Sequence, residues 1–170
     1  MRVYLPATTS VLRTLADDGV LPGPHTAFAV TSELRRFYEI SDAEADTEEL
    51  EYAALLGAAR ASLRLVDVDP TAARRRVVLA ADASDADVTS LDDPDTDRGA
   101  VQITADIRLS DVVSAHIDGA EAEDDVRAAV CVVLEADLGS DDAQFKIEQA
   151  EGHELAWYAT QEIGPVLELL

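Results

Sequence analysis

The segment EELEYAALLGAARASLRLV, Glu48 to Val66, decides the fold. Each residue of an α-helix turns the chain by about 100°, so every position can be placed on a face. Tyr52, Leu55, Leu56, Ala58, Ala59, Leu63, Leu65 and Val66 then fill an arc of roughly 200°, wider than the stripe of an ordinary surface helix. Glu49, Ala53, Gly57, Arg60 and Arg64 form the remaining stripe. So wide an arc predicts a central helix covered on two sides, the most buried in the fold. Asp46 with Glu49 three residues later is a capping-box pattern and marks its start. A break at Pro70 leads into ARRRVVLAADA, where Val77 to Ala81 is a continuous apolar run that reads as a central strand.

Outward from this pair the chain alternates short strands with capped helices. Val3 to Leu5 reads as a strand stopped by Pro6, and Thr8, Thr9 and Ser10 offer N-caps for a helix ended by Gly19. Ala27 to Val30 reads as a strand, and Thr31 or Ser32 caps a helix with Leu34, Phe37 and Tyr38. Val101 to Ile107 alternates apolar and polar residues as a half-buried strand does. Val112 to Ile117 is a further strand. Asp118 with Glu121 is a second capping-box pattern before a helix carrying Val126, Ala129, Val130, Val133 and Leu134. Phe145 and Ile147 suggest a short strand, Leu155 to Tyr158 the last one, and a helix closes the chain. The expected fold is one α+β domain over residues 1–170, with a mixed β-sheet of about five to six strands and helices packed against it.

Between these elements, residues 82–99 hold seven aspartates in eighteen positions. They read as a long, mobile acidic loop. Asp93, Asp95 and Asp97 begin like a calcium loop, but that pattern wants glycine sixth and glutamate twelfth. Here those positions are Arg98 and Thr104, so no metal site is expected.

The whole chain is acidic: 35 acidic against 13 basic residues give a net charge of −22 over 170 residues. Such a surface repels phosphate at long range, which argues against nucleic acid and anionic membranes and favours a basic protein surface as partner. Cys131 is the only cysteine, which excludes an intramolecular disulfide; within an apolar helical run it reads as a small buried hydrophobe. The start MRVYLPATTS lacks a signal-peptide run and no segment reaches the ~20 apolar residues of a membrane span, so a soluble cytoplasmic protein is expected.

Candidate site residues are few. His153-Glu154 resembles the start of a zinc-hydrolase helix, yet Trp157 stands where the second histidine belongs. As strand residues, His153 and Glu154 would point to opposite faces. Glu51 falls within the apolar arc of the core helix, as a buried acid or a partner for Arg74, Arg75 or Arg76. No glycine-rich phosphate loop, nucleophile elbow or paired-cysteine site is present, so no catalytic residue, metal or cofactor is assigned. The expected binding pocket is formed by His153, Glu154, Trp157, Tyr158 and Glu51.

MRVYLPAT, AFAVTSELRRFYE, the EELEYAALLGAARASLRL helix with RRVVLAAD, and HELAWYATQEI together resemble an uncharacterised actinobacterial family, a domain of unknown function. The resemblance covers nearly the whole chain. It implies one domain of actinobacterial, cytoplasmic origin and no particular activity, with residues 82–99 the part expected to vary most. Two function classes remain open. The first is a non-catalytic acidic protein that binds a basic protein surface. The second is a small enzyme or ligand-binding domain with a pocket near His153, Glu154, Trp157 and Tyr158. Convergence of His, Glu and Tyr in a cleft would favour the second.

Overall fold

The structure, a computed structural model, describes residues 1–38, 47–91 and 97–170. Strand β1 (Arg2–Ala7) leads into helix α1 (Thr9–Asp18), capped by the Thr8 side chain, which accepts from the Val11 amide. Gly19 closes α1 at φ 74°, a left-handed conformation that glycine adopts without a Cβ penalty. Short strands β2 (Val20–Leu21) and β3 (His25–Phe28) follow, and Thr31 caps α2 (Ser32–Phe37) as Thr8 caps α1. The long helix α3 (Thr47–Val68) precedes β4 (Val77–Asp82), β5 (Val88–Ser90), β6 (Ala100–Ile103), β7 (Ile107–Arg108) and β8 (Val112–Asp118). Three helices come next, α4 (Glu123–Val130), α5 (Val133–Asp137) and α6 (Asp141–Glu151). Strand β9 (Leu155–Ala159) and helix α7 (Ile163–Leu167) complete the chain.

One sheet runs in the order β5-β6-β3-β1-β4-β8-β9, and β2 pairs with β7 in a separate two-stranded ribbon. The fold class is α+β, as read. The sheet differs from the expectation: its neighbouring strands are antiparallel rather than mixed, and it has seven strands rather than five or six. Strands alternating with helices suggest parallel crossovers, but β2 and a proline-rich turn lie between α1 and β3. They give the chain room to reverse once more, so β3 runs antiparallel to β1.

Both faces of the sheet are covered. Val3, Leu5, Leu79 and Ile117 pack against Leu12 and Leu15 of α1 and Ile163 and Leu167 of α7. On the opposite face Tyr4, Phe28, Val78 and Ala80 meet Leu50, Ala54, Ala58 and Ala59 of α3. A third cluster joins Leu63 and Val66 of α3 to Val126, Ala129, Val133 and Ile147 of α4, α5 and α6. The central helix is therefore covered on two sides only in its second half. Of its expected apolar arc, Tyr52 and Leu56 are 54% and 36% exposed. Gly57 departs from the polar stripe and faces the sheet. A Cβ there would stand 2.8 Å from Phe28 Cδ1, so the missing side chain admits the ring beneath the helix.

One polar cluster lies at the start of β4. Arg76 and Asp118, each fully buried, form a two-pronged ion pair through Nε at 2.8 Å and Nη2 at 2.7 Å. The Arg76 amide donates to the same carboxylate at 2.7 Å, and Nη2 donates to the His153 carbonyl at 2.9 Å. Beside it the Ser62 hydroxyl donates to the Ala7 carbonyl and accepts from the Val77 amide, tying α3 to β1 and β4. Asp118 is thus not a helix cap: it ends β8 and neutralises a buried guanidinium.

Other local readings change as well. Within 82–99, expected as one loop, Asp85–Asp87 form a 3-10 turn and β5 pairs with β6. Phe145 and Ile147 lie in α6, capped by Ser140, not in a strand. Cys131, at the break between α4 and α5, is exposed rather than buried. Asp46, Asp93 and Asp95 lie outside the described residues, and Asp97 pairs with Arg64 at 3.1 Å.

Candidate functional site: a groove between the central helix and the last two strands

Strand alternation sets the floor of the groove. Tyr4 stands opposite Ala80, Ala80 opposite Ser114, Val78 opposite His116, and His116 opposite Trp157. Successive side chains alternate across a strand, so Arg2, Tyr4, Ser114, His116, Leu155 and Trp157 all face α3. The first half of α3 forms the other wall. The result is two adjoining cavities of about 270 Å³ and 300 Å³ that share Tyr52, Leu55 and His116. The first is lined by Arg2, Tyr4, Glu48, Glu51, Ser114 and Trp157 besides the shared residues. The second reaches Leu56, His153, Glu154 and Leu155.

The first cavity holds two carboxylates, Glu48 and Glu51, beside groups that can donate, among them Tyr4 and Arg2. The pKa of the Tyr4 hydroxyl is pushed up to about 12, chiefly by burial and then by the nearby Glu51 charge. The phenol therefore stays protonated at neutral pH and serves as a donor, not a base. Burial lowers the pKa of His116, so its imidazole is neutral at neutral pH. Its Nε2 lies 3.2 Å from Ser114 Oγ. Among the described residues Arg2 is the one cation on this wall, and its guanidinium is held by Asp82 through Nε at 2.8 Å. The rim is aromatic: Tyr52 and Trp157 are 54% and 60% exposed.

The structure brings together four of the five residues chosen from the sequence: Glu51 and Trp157 in the first cavity, His153 and Glu154 in the second. His153 and Glu154 precede β9 in a bend, so strand alternation does not separate them. His153 Nε2 lies 2.7 Å from an Asp125 oxygen. Tyr158 does not join them. It follows Trp157 on the strand, faces the other side and packs against the core beneath α1 and α7. Nor does Glu51 pair with the arginine run, since Arg74 donates to the Val66 carbonyl, Arg75 to Glu123 and Arg76 to Asp118.

Tyr4, Ser114, His116 and the aromatic role of Tyr52 were not drawn from the sequence. The signal was available in part: Tyr4, Ser114 and His116 occupy alternate strand positions on one face. Their convergence required the strand order, which spacing does not give.

A larger cavity of about 380 Å³ lies elsewhere, lined mainly by Leu5, Val11, Leu21, Pro22, Pro24 and Leu79. Its ionisable group is His25, whose Nε2 donates to the Leu21 carbonyl at 3.1 Å. Size alone favours this cavity, but the acid, imidazole, phenol and hydroxyl groups converge in the groove.

Among the described residues no helix is long and apolar enough to cross a membrane. Comparison with curated proteins and with solved structures gave no match. Residues 1–167 match the model of a family of unknown function, DUF6912, and the chain belongs to that family.

Proposed function

We propose that this is a non-catalytic cytoplasmic binding protein whose groove receives a cationic side chain of a basic protein partner. The observation that carries this reading is the acceptor-rich, aromatic-rimmed wall formed by Glu48, Glu51, Tyr52, His116 and Trp157. Glu48 is in the first turn of α3, where the helix dipole already favours a carboxylate. Glu51 is one turn further in and faces the cavity beside Tyr4. An ammonium or guanidinium over an exposed aromatic face gains about 0.5–1 kcal/mol, more when desolvated. A hydrogen bond to a carboxylate adds about 1.5–3 kcal/mol. The net charge of −22 supplies long-range attraction to a basic partner and opposes phosphate-bearing ones.

A small-enzyme reading rests on the convergence of Glu51, Tyr4 and His116 in the groove and on the contact between Ser114 and His116. It has less support: Ser114 is buried, and among the described residues no carboxylate hydrogen-bonds His116 to orient it as a base. Labelling of Ser114 by a fluorophosphonate would reverse that ranking.

Trp157 is the only tryptophan, so its fluorescence reports on the groove directly. Titration with a lysine-rich peptide is expected to shift that emission saturably. Glu51→Gln should weaken binding by about 10-fold or more, the size of one lost charged hydrogen bond, while Asp142→Asn on α6 leaves it nearly unchanged. Equal weakening by both substitutions would mean generic ion exchange and would reject the groove as the site.

A further inference from the structure

The partner's mode of approach follows from the edge of the sheet. β9 is a terminal strand, with five residues and neither proline nor lysine among them. Proteins commonly protect such edges with those residues or by shortening the strand. The opposite edge, β5, has only three residues. The hydrogen-bond ladder of β8 sets the direction of the β9 backbone groups. Asp118 N–H donates to the Arg76 carbonyl, so residues 118, 116 and 114 of β8 bond toward β4. Residues 117 and 115 then bond toward β9, where they face Ala156 and Tyr158. Leu155, Trp157 and Ala159 are left pointing outward. The Ala159 N–H agrees, since it is taken by Glu162 Oε2 at 2.8 Å rather than by β8. Among the described residues, main-chain N–H and C=O groups at Leu155 and Trp157 therefore lie at the free edge.

Those two residues also mark the two cavities. Trp157 lines the one holding Glu48 and Glu51, and Leu155 lines the one holding Glu154. They are two positions apart on the strand, a separation of about 6.6 Å. In a strand added beside β9, side chains at i and i+2 face the same side with the same spacing.

Resting on the groove reading above, we infer that the partner binds as an extended basic segment that adds a strand to β9. Its main chain pairs with Leu155 and Trp157. Lysine or arginine side chains at alternate positions enter the two cavities, one toward Glu51 and one toward Glu154. The intervening side chains point to the far face, so the recognised pattern is basic at every second residue.

The test uses the full chain and three synthetic peptides of equal charge, read by Trp157 fluorescence. One alternates lysine with threonine, one has the same composition with its lysines contiguous, and one is the alternating peptide N-methylated at every second residue. The alternating peptide should bind about 10-fold more tightly than the contiguous one, and N-methylation in the pairing register should remove that advantage. Amide exchange at Leu155 and Trp157 should slow in the complex. If all three bind equally and Glu51→Gln weakens each, the groove stands and strand addition is overturned. If no binding responds to Glu51→Gln, the groove reading fails and this inference fails with it.

Discussion

Two arginine–aspartate pairs stand at opposite ends of β4 on the face beneath α3, and they have different fates. Arg76–Asp118 is fully buried, with His153 and Ser62 bonds around it. Arg2–Asp82 is open to solvent, its side chains 35% and 61% exposed. The chemistry is the same and the cover differs. The second half of α3 is sealed by α4, α5 and α6, while its first half borders the groove. Water screens the open pair, so it contributes at most about 1 kcal/mol. The sealed pair cannot lose a partner without leaving a bare charge in the interior. Polar groups around the groove can therefore serve a ligand at little cost to the fold, and those at the sealed end cannot.

The largest effect should come from breaking the sealed pair. Asp118→Asn is expected to cost about 3–5 kcal/mol in a denaturant titration, against less than about 1 kcal/mol for Asp82→Asn. Replacing both sealed partners together, Arg76→Met with Asp118→Leu, should recover much of the loss, because no lone charge remains. Equal losses at Asp118 and Asp82 would remove the distinction between the two ends.

The same contrast holds along α3 itself. Leu63 is fully buried against α4–α6, and Leu63→Ala should cost about 2–5 kcal/mol. Leu56 lines the groove at 36% exposure, and Leu56→Ala should cost less than about 1 kcal/mol. A large loss at Leu56 would show that the groove wall is part of the core.

This contrast also marks what the sequence could reveal. Threonine caps at Thr8 and Thr31, the αL closure at Gly19 and the central runs of α3 and β4 depend on neighbours within a few residues. They were legible for that reason. The 3.6-residue period of α3 identified a broad apolar arc but could not say which part another helix would cover. Tyr52 and Leu56 count as core in periodicity and line a groove in space. Asp118 shows the limit most clearly. Asp followed three residues later by Glu is a cap pattern, and only the distant Arg76 guanidinium decides otherwise. In the groove, Trp157 and Glu51 were visible as an aromatic and an acid in apolar surroundings. Tyr4 and His116 were not, because they meet only through the order β1-β4-β8.

The smallest effect is a titration, and it tests whether the groove is coupled as its geometry requires. Burial comes first in raising the Tyr4 pKa to about 12, and the Glu51 charge comes second. The Tyr4 step should therefore fall near pH 12 in the absorbance titration, assigned by its loss in Tyr4→Phe. Glu51→Gln should move that step below about 12 while leaving it above the ordinary value of about 10, because burial remains. The native state holds this proton more tightly than the unfolded chain does. The associated stability is thus intact below about pH 10 and lost as pH rises toward 12. A stability profile flattened over that window in both Tyr4→Phe and Glu51→Gln would place the two groups in one coupled site. A Tyr4 step that ignores Glu51→Gln would mean that the carboxylate faces away from the phenol, leaving the cationic partner without its central acceptor.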